Sequence, residues 1–477
     1  MERLGGIDAS FLYFETPETP MHVAGFTLYD LPEGYEGSFY ERFRDLMASR
    51  LHMLPVFRKK LAAAPLDLHH PAWVDDPNFD INNHVLRMQV PAPGTPSQVE
   101  ELIARLHSQP MDRNKPMWQF IVLEGLQNGQ VALYSKVHHA AVDGGAGMII
   151  TQMIYDVTPV PRKVEPPKET AQPQAPNPAG ALGDLVNSMV RFQLDMLRKG
   201  PEMMGTIANM FFPQIGKDQP LSSYLPQSPI KEMPKLLAPK TIFNVAISGE
   251  RSYAARSLPL DTAKLIGKAS GAKLNEVVLA TCSGALRRYL LEKNALPAEP
   301  LIAFVPISLR ELGNTDINNQ VFGMMCSLAS DVAKPLERLE AVKQASKESK
   351  QVASAVKGLM PQDYAFFGAP VLLRGLSDLF GRSGLADVLP MPCNVAISNV
   401  PGPQVPLYGA GAKVAALYPV SIATHGCALN ITVQSYLGKL EFGLTADKRA
   451  VPDVAKIGDY MVEAFAELGN ALVSKPS

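Results

Sequence analysis

Two adjacent histidines follow a strand-like run, and their residue type could move a proton. They lie in the segment VALYSKVHHAAVDGG, residues 131–145, whose first eight residues have the composition of a β-strand. Side chains alternate between the two faces of a strand. We therefore expect one of His138 and His139 to face a site and the other to brace the back of the same strand. A neutral imidazole can accept a proton from a hydroxyl group near neutral pH, so the segment predicts a general base.

The histidines belong to a longer pattern, which is more specific than a single buried histidine. His138 and His139 are followed by Asp143 and Gly144, in the arrangement HHxxxDG. A lone buried histidine most often serves packing alone. The full pattern resembles the signature of the acyltransferase superfamily that includes chloramphenicol acetyltransferase, carnitine acyltransferases and peptide-synthetase condensation domains. The glycine after the aspartate permits a tight exit of the backbone from the strand.

Composition limits the classes of protein to be considered. A chain of 477 residues predicts two domains, and its net charge of −1 gives no electrostatic basis for binding nucleic acid. The N-terminus lacks the pattern of a signal peptide, and no apolar run reaches the length of a membrane span. We therefore expect a cytoplasmic protein with reduced thiols and no metal site. The four cysteines have no metal-ligand spacing: Cys282, Cys326, Cys393 and Cys427.

Patterning divides the chain into three parts. Residues 1–157 read as an α/β unit in which a strand at 119–123 pairs with the histidine strand, and residues 239–477 read as a second α/β unit. The second unit includes a predicted strand over 418–422. Residues 158–238 combine a proline-rich linker with an amphipathic helical segment, followed by a Met- and Phe-rich tract at 203–212. That tract is predicted either to pack at a domain interface or to lie on a lipid surface.

A narrower resemblance extends along nearly the whole chain outside the linker. The sequence is similar to the bacterial wax ester synthase/acyl-CoA:diacylglycerol acyltransferases. Met117 stands where that family commonly has leucine, and Glu276 stands where it commonly has aspartate. The motifs that carry the resemblance are PMHV (20–23), PMW (116–118), HHxxxDG (138–144), NEVVL (275–279), SNVPGP (398–403) and LNITV (429–433).

The resemblance implies a fold of two chloramphenicol-acetyltransferase-like α/β domains with a substrate channel at their interface. It implies acyl-CoA as the donor substrate, a long-chain alcohol or diacylglycerol as the acceptor, and no cofactor. His139 would act as the general base in direct acyl transfer without an acyl-enzyme. Further site or motif residues that the resemblance suggests are His138, Asp143, Gly144, Asn275, Glu276, Ser398 and Asn399.

Several alternatives remain open from the sequence. Asp143 either forms a structural ion pair, with Arg58 as our first choice of partner and Arg310 as the second, or orients the imidazole of His139. The runner-up activity is a condensation-like acyltransferase that uses a carrier-protein thioester. A third possibility is a non-catalytic protein that binds lipid droplets. Peripheral contact with the inner membrane or lipid inclusions is a further hypothesis, based on the apolar substrates and the tract at 203–212.

Overall fold

The computed structural model describes residues 2–62, 70–142, 146–165, 237–308, 321–357, 380–381 and 383–473. The predicted helical segment at 182–196 and the tract at 203–212 lie outside these residues. The elements before residue 166 are β1 (Glu2–Arg3), α1 (Gly6–Phe14), β2 (His22–Asp30), α2 (Phe39–Arg50), β3 (Lys59–Ala62), β4 (Ala72–Asp75), β5 (Val85–Gln89), α3 (Pro96–Ser108), β6 (Trp118–Glu124), β7 (Val131–His138) and α4 (Ala146–Ile154).

Short 3₁₀ helices supplement these elements at Leu51–Met53, Pro55–Arg58, Ile81–Asn83 and His139–Ala141. The elements after residue 236 are β8 (Arg251–Pro259), α5 (Leu260–Ser270), α6 (Leu274–Glu292), β9 (Ile302–Ser308), β10 (Val321–Ser327), α7 (Pro335–Lys357), α8 (Leu385–Val388), β11 (Val395–Val400), β12 (Tyr408–Gly409), β13 (Ala412–Val420), β14 (Leu429–Tyr436), β15 (Lys439–Asp447) and α9 (Val454–Val473).

The first six-stranded sheet has the order β12-β13-β2-β7-β6-β5, so the histidine strand β7 lies near its centre. The predicted pairing of β6 with β7 is confirmed, and β2 pairs antiparallel with the other edge of β7. Alternation along β7 divides its side chains between two cores. Leu133 and Val137 enter the core beneath α2, whereas Ala132 and Tyr134 enter the core beneath α3. This period of two places His138, the last residue of the strand, on the face of Ala132 and Tyr134.

The second six-stranded sheet has the order β10-β9-β11-β14-β15-β8. Helices α5, α6, α7 and α9 contact one another and bury apolar side chains against it. Strands β14 and β15 form an antiparallel hairpin, and its two-residue turn places Leu437 at φ 42° and Gly438 at φ 80°. Both values lie in the left-handed region, which glycine adopts without steric cost. The α/β class predicted from the sequence is therefore confirmed.

One strand crosses from the later part of the chain into the first sheet. Strand β13 pairs antiparallel with β2, from Lys413 opposite Asp30 to Val420 opposite Ala24. The predicted strand over 418–422 was therefore wrong at both ends, because β13 begins at Ala412 and ends at Val420. Helix α3 also contacts β8, which belongs to the later part of the chain. The described residues of 1–166, 237–362 and 368–477 pack as one compact unit. The boundaries at 157 and 238 remain predictions.

Among the residues that the structure describes, none of the helices combines the length and apolar character needed to cross a bilayer.

Candidate active site

The end of β7 places the two histidines in different surroundings. His138 is the last residue of the strand and is fully buried on the face of Ala132 and Tyr134. His139 begins the 3₁₀ helix that follows, and its side chain is half-buried. The backbone N–H of His139 donates to the carbonyl of Met21, at 2.9 Å, which ties the turn to the start of β2. The two imidazoles therefore have different surroundings, but His139 lies beyond the strand, so alternation along the strand does not set its direction.

The imidazole of His139 stacks on an aromatic ring. The ring of Phe11, in α1, stacks on it with centroids 3.8 Å apart and an interplanar angle of 15°. Burial lowers the pKa of His139 to about 4, and the neighbouring His138 contributes in the same direction. The ring is therefore uncharged at neutral pH, which is the form that a general base requires. Its buried Nδ1 has no side-chain partner among the described residues.

Both ring nitrogens of His138 face protein groups. The backbone N–H of Ala140 donates to its Nδ1 at 3.1 Å, so Nδ1 is an acceptor and Nε2 carries a proton. That Nε2 lies 3.3 Å from Oε1 of Glu15. A strand-end histidine with one nitrogen committed to the backbone and the other facing a carboxylate has a fixed tautomer and orientation.

Glu15 is the carboxylate at the centre of this arrangement, and its side chain is only 7% exposed. Arg113 donates to its Oε2 through Nε at 3.0 Å and Nη2 at 2.6 Å, and the backbone N–H of Met21 donates to its Oε1 at 3.0 Å. Burial alone would raise the pKa of Glu15, but His138, Arg113 and the Met21 amide together lower it to about 2. Glu15 is therefore ionised throughout the neutral range.

A second buried polar group lies on the same face as His138, at the C-terminal end of α3. His22, opposite His138 in the β2–β7 pairing, donates through Nε2 to the carbonyl of His107 at 2.9 Å. Lys136 donates through Nζ to the carbonyls of Leu106 and Gln109, at 3.2 and 3.1 Å. Cations and N–H donors at this end of a helix satisfy its unpaired carbonyls. The group thereby joins α3 to the histidine strand.

Burial also sets the charge of these groups. Burial lowers the pKa of His107 to about 3, and it lowers that of His22 well below 6.5. It lowers the pKa of Lys136 to about 8, an effect that the carboxylate of Glu15 opposes. The two histidines are therefore neutral, and His107 uses both nitrogens. Its Nε2 donates to the carbonyl of Ser421, and its Nδ1 accepts from the hydroxyl of Tyr134, both at 2.8 Å.

Residues from the later motifs form a separate group. The amide of Asn399, in β11, donates to Oδ1 of Asn275, in the first turn of α6, at 3.4 Å. Glu276 is buried, and its Oε2 accepts from the backbone N–H of Lys273 at 2.8 Å, which satisfies an amide at the N-terminus of α6. Ser398 is half-buried in β11 and lies opposite Thr432 of β14. The structure thus brings the NEVVL and SNVPGP motifs together.

Other predicted residues cannot be placed in this way. Asp143, Gly144 and Arg310 lie outside the described residues, so the ion pair expected for Asp143 is untested. Arg58 is exposed at the end of the 3₁₀ helix Pro55–Arg58. In the described ranges, no group of three His, Cys, Asp or Glu side chains could hold a metal ion.

Sequence reasoning missed Phe11, Glu15 and Arg113 as residues of the histidine site. Phe11 lies in the last turn of α1, and Glu15 is the extended residue directly after that helix. Nothing local connects these two residues to His138, more than a hundred residues later. Arg113 lies in the loop between α3 and β6, where an arginine is unremarkable.

Family models match most of the chain. Residues 4–278 match the wax ester synthase/diacylglycerol acyltransferase catalytic domain, and residues 317–469 match the WS/DGAT C-terminal domain. The chain belongs to the wax ester synthase/diacylglycerol acyltransferase family. The resemblance stated from the motifs is thereby confirmed.

Relatives and solved structures agree with this family. The probable diacylglycerol O-acyltransferase tgs2 of Mycobacterium tuberculosis is 34% identical over 475 residues, which cover 98% of each chain. The wax ester synthase/diacylglycerol acyltransferase from Marinobacter aquaeolei VT8 superposes with a TM-score of 0.70 at 30% identity, over 99% of this chain and 100% of that one. The first condensation domain of the calcium-dependent antibiotic synthetase shares the fold, with a TM-score of 0.53 at 14% identity over 98% and 96% of the two chains.

Proposed function

We propose that the chain transfers a fatty acyl group from acyl-CoA to a long-chain alcohol or to diacylglycerol, with His139 as the general base. The observation that carries this proposal is the setting of His139 within a member of this family. Its imidazole follows the strand end, is half-buried, is neutral at pH 7 and is fixed in plane by Phe11. A base that is already unprotonated and oriented needs no preparatory step.

In the proposed reaction the acceptor hydroxyl gives its proton to His139 as its oxygen attacks the thioester carbonyl. The tetrahedral oxyanion then collapses, the C–S bond breaks, and the CoA thiolate leaves and takes up the proton held on His139. Because the lowered pKa makes His139 a weak base, proton removal has to accompany attack rather than precede it. Products are an ester and free CoA, with no covalent enzyme intermediate.

The neighbouring residues have positioning roles in this proposal. Glu15 and Ala140 fix the ring of His138, and His138 fixes the backbone from which His139 projects. The oxyanion needs hydrogen-bond donors where its charge develops. Asn275, Ser398 and Asn399 are the residues that we propose for this purpose. Asp143 and Gly144 are proposed to shape the turn after the histidines.

The test is release of CoA from palmitoyl-CoA by the purified full-length protein, with hexadecanol or dipalmitoylglycerol as acceptor. We expect acceptor-dependent release, and we expect His139→Ala to lower kcat by at least about 100-fold, the range for loss of a general base. The ratio of rates with the two acceptors identifies the main product. A palmitoyl carrier-protein thioester, offered in parallel, separates this activity from a condensation-like one.

Two results would overturn the proposal. The first is a folded wild-type protein that releases CoA at the same rate with and without acceptor. The second is a His139→Ala variant that retains wild-type kcat. Circular dichroism and melting temperature of the variant establish that any loss is not caused by unfolding.

We further propose that the protein contacts a lipid surface peripherally, because both of its proposed acceptors reside in lipid. The tract at 203–212 is the part of the sequence proposed to make this contact. Deletion of residues 203–212 should reduce co-sedimentation with phosphatidylglycerol vesicles while leaving the folded protein monodisperse. Unchanged co-sedimentation of the deletion variant would count against this role.

A further inference from the structure

Cys393 and Cys427 lie next to each other although they are 34 positions apart in the sequence. Strands β11 and β14 are parallel neighbours in which Ala396 lies opposite Asn430, also a separation of 34. Cys393 and Cys427 keep this separation two residues before the strands begin, and their side chains contact each other there.

A side-chain clamp holds the two backbone segments together. The amide nitrogen of Asn244 donates to the carbonyl of Cys393 at 2.8 Å and to the carbonyl of Gly426, the residue before Cys427, at 2.9 Å. Cys427 also follows a tight turn, in which it forms a β-bridge with Thr424. The buried side-chain amide of Asn244 therefore holds the backbone at Cys393 close to the backbone just before Cys427.

The two thiols are also chemically unequal. The contact between the two thiols lowers the pKa of Cys393 and raises that of Cys427. The Cys427 thiol donates to the carbonyl of Leu429 at 3.7 Å, and Cys393 is the sulfur that more readily becomes a thiolate. A thiolate beside a second thiol is the arrangement in which oxidation is followed by resolution to a disulfide.

The remaining two cysteines provide the contrast. Cys282, in α6, and Cys326, in β10, are fully buried in the apolar core of the second sheet. Burial raises the pKa of Cys282 to about 12 and that of Cys326 to about 11. Neither has a cysteine partner, so they are inert thiols of the same chain.

We propose that Cys393 and Cys427 are a modification site, a dithiol that a hydroperoxide closes to an intramolecular disulfide. In the first step the sulfur of Cys393 attacks one oxygen of hydrogen peroxide, the O–O bond breaks, and one water leaves as the sulfenic acid forms. In the second step the sulfur of Cys427 attacks that of Cys393, the S–O bond breaks, and a second water leaves. Two thiols lose two electrons, and the peroxide is reduced to two waters.

The test uses the full-length protein and does not depend on its enzymatic activity. Protein treated with hydrogen peroxide is denatured in N-ethylmaleimide, digested with trypsin without reductant, and analysed by mass spectrometry. The two cysteines fall on separate tryptic peptides, 383–413 and 414–439. We expect a linked species with the summed mass of these peptides less two hydrogen atoms, which dithiothreitol splits. Cys282 and Cys326 should remain fully alkylated.

Serine variants test the order of the steps. Cys427→Ser should abolish the linked species and leave Cys393 as a sulfenic acid that dimedone traps. Cys393→Ser should abolish both, while Cys282→Ser should still give the linked species. The proposal is overturned if peroxide leaves all four thiols alkylated, or if it modifies Cys282 and Cys326 as fast as the proposed pair. A link found only in covalent dimers would overturn it as well. Because the wild-type peptide map decides the main question, a serine variant that fails to fold does not leave it open.

Discussion

Replacing Glu15 with glutamine removes a charge from behind the histidine pair with almost no change of shape. The side chain is buried, accepts two hydrogen bonds from Arg113 and faces Nε2 of His138 at 3.3 Å. Its pKa lies at about 2 instead of 4.5, and a displacement of that size corresponds to about 3 kcal/mol at neutral pH. We therefore expect Glu15→Gln to lower the free energy of unfolding by up to about 3 kcal/mol.

The same variant should slow catalysis for a separate reason. A hydrogen bond to a charged partner contributes about 1.5–3 kcal/mol and a neutral one about 0.5–1.5 kcal/mol, so glutamine weakens the interaction with His138 by about 1–1.5 kcal/mol. If half of that loss appears as poorer placement of His139, kcat falls about two- to four-fold, since 1.4 kcal/mol corresponds to a factor of ten in rate. The assay is acceptor-dependent CoA release at a temperature where both proteins are folded, with Tm measured by circular dichroism.

A matched control distinguishes positioning from general destabilisation. Asp156 is another buried carboxylate that accepts two hydrogen bonds from an arginine, Arg50, at 2.7 and 2.8 Å. Breaking such a pair costs about 3–5 kcal/mol. Asp156→Asn should therefore lower Tm at least as much as Glu15→Gln but leave kcat of the folded protein unchanged. The reasoning is refuted if Glu15→Gln keeps wild-type kcat, or if Asp156→Asn lowers kcat equally.

Two further predictions follow from the same surroundings. Phe11→Leu removes the aromatic stack on His139, worth about 0.5–1.5 kcal/mol, and should lower kcat about five-fold with unchanged KM for the acceptor. Phe14→Leu, on the exposed side of α1, is the control and should leave kcat unchanged. Equal kcat for Phe11→Leu and the wild-type protein would contradict the positioning role. Burial lowers the pKa values of His22, His107 and His139 below 6.5 in the folded protein, so the unfolded chain binds more protons in acid. Tm should therefore fall progressively below about pH 6.5. A Tm that stays constant down to pH 4 would show that these histidines are not buried as neutral groups.

The sequence predicted the elements around the site well where the pattern is local. Strands β6 and β7 were recognised from the composition of their own residues, because a strand pattern is carried by neighbouring positions. Strand β13 was mistaken at both ends. Its register is set by pairing with β2, nearly four hundred residues earlier, and by a bulge between Val414 and Ala416. Short-range patterns carry no information on such a partner.

The candidate site shows the same division. His138 and His139 were found because they are adjacent in a known pattern, whereas Glu15 and Arg113 reach His138 only after α1, β2 and β7 have assembled. Likewise, Asn275 and Asn399 were each recognised in a motif, but their hydrogen bond depends on the packing of α6 against β11. Residue type and spacing identify chemical groups, and tertiary contacts decide which groups act on one another.

The surroundings, rather than the pattern, distinguish the roles of the two histidines. In the sequence they differ only in which strand face they occupy. In the folded protein Glu15 faces His138 and Phe11 faces His139. An apolar neighbour such as Phe11 favours the neutral form of the His139 imidazole, whereas a carboxylate in the same place would favour the protonated form. If the carboxylate faced His139 instead, it would raise the pKa of the proposed base and leave part of it protonated at neutral pH. The placement of Glu15 behind His138 therefore orients the pair without charging the ring that has to accept the proton.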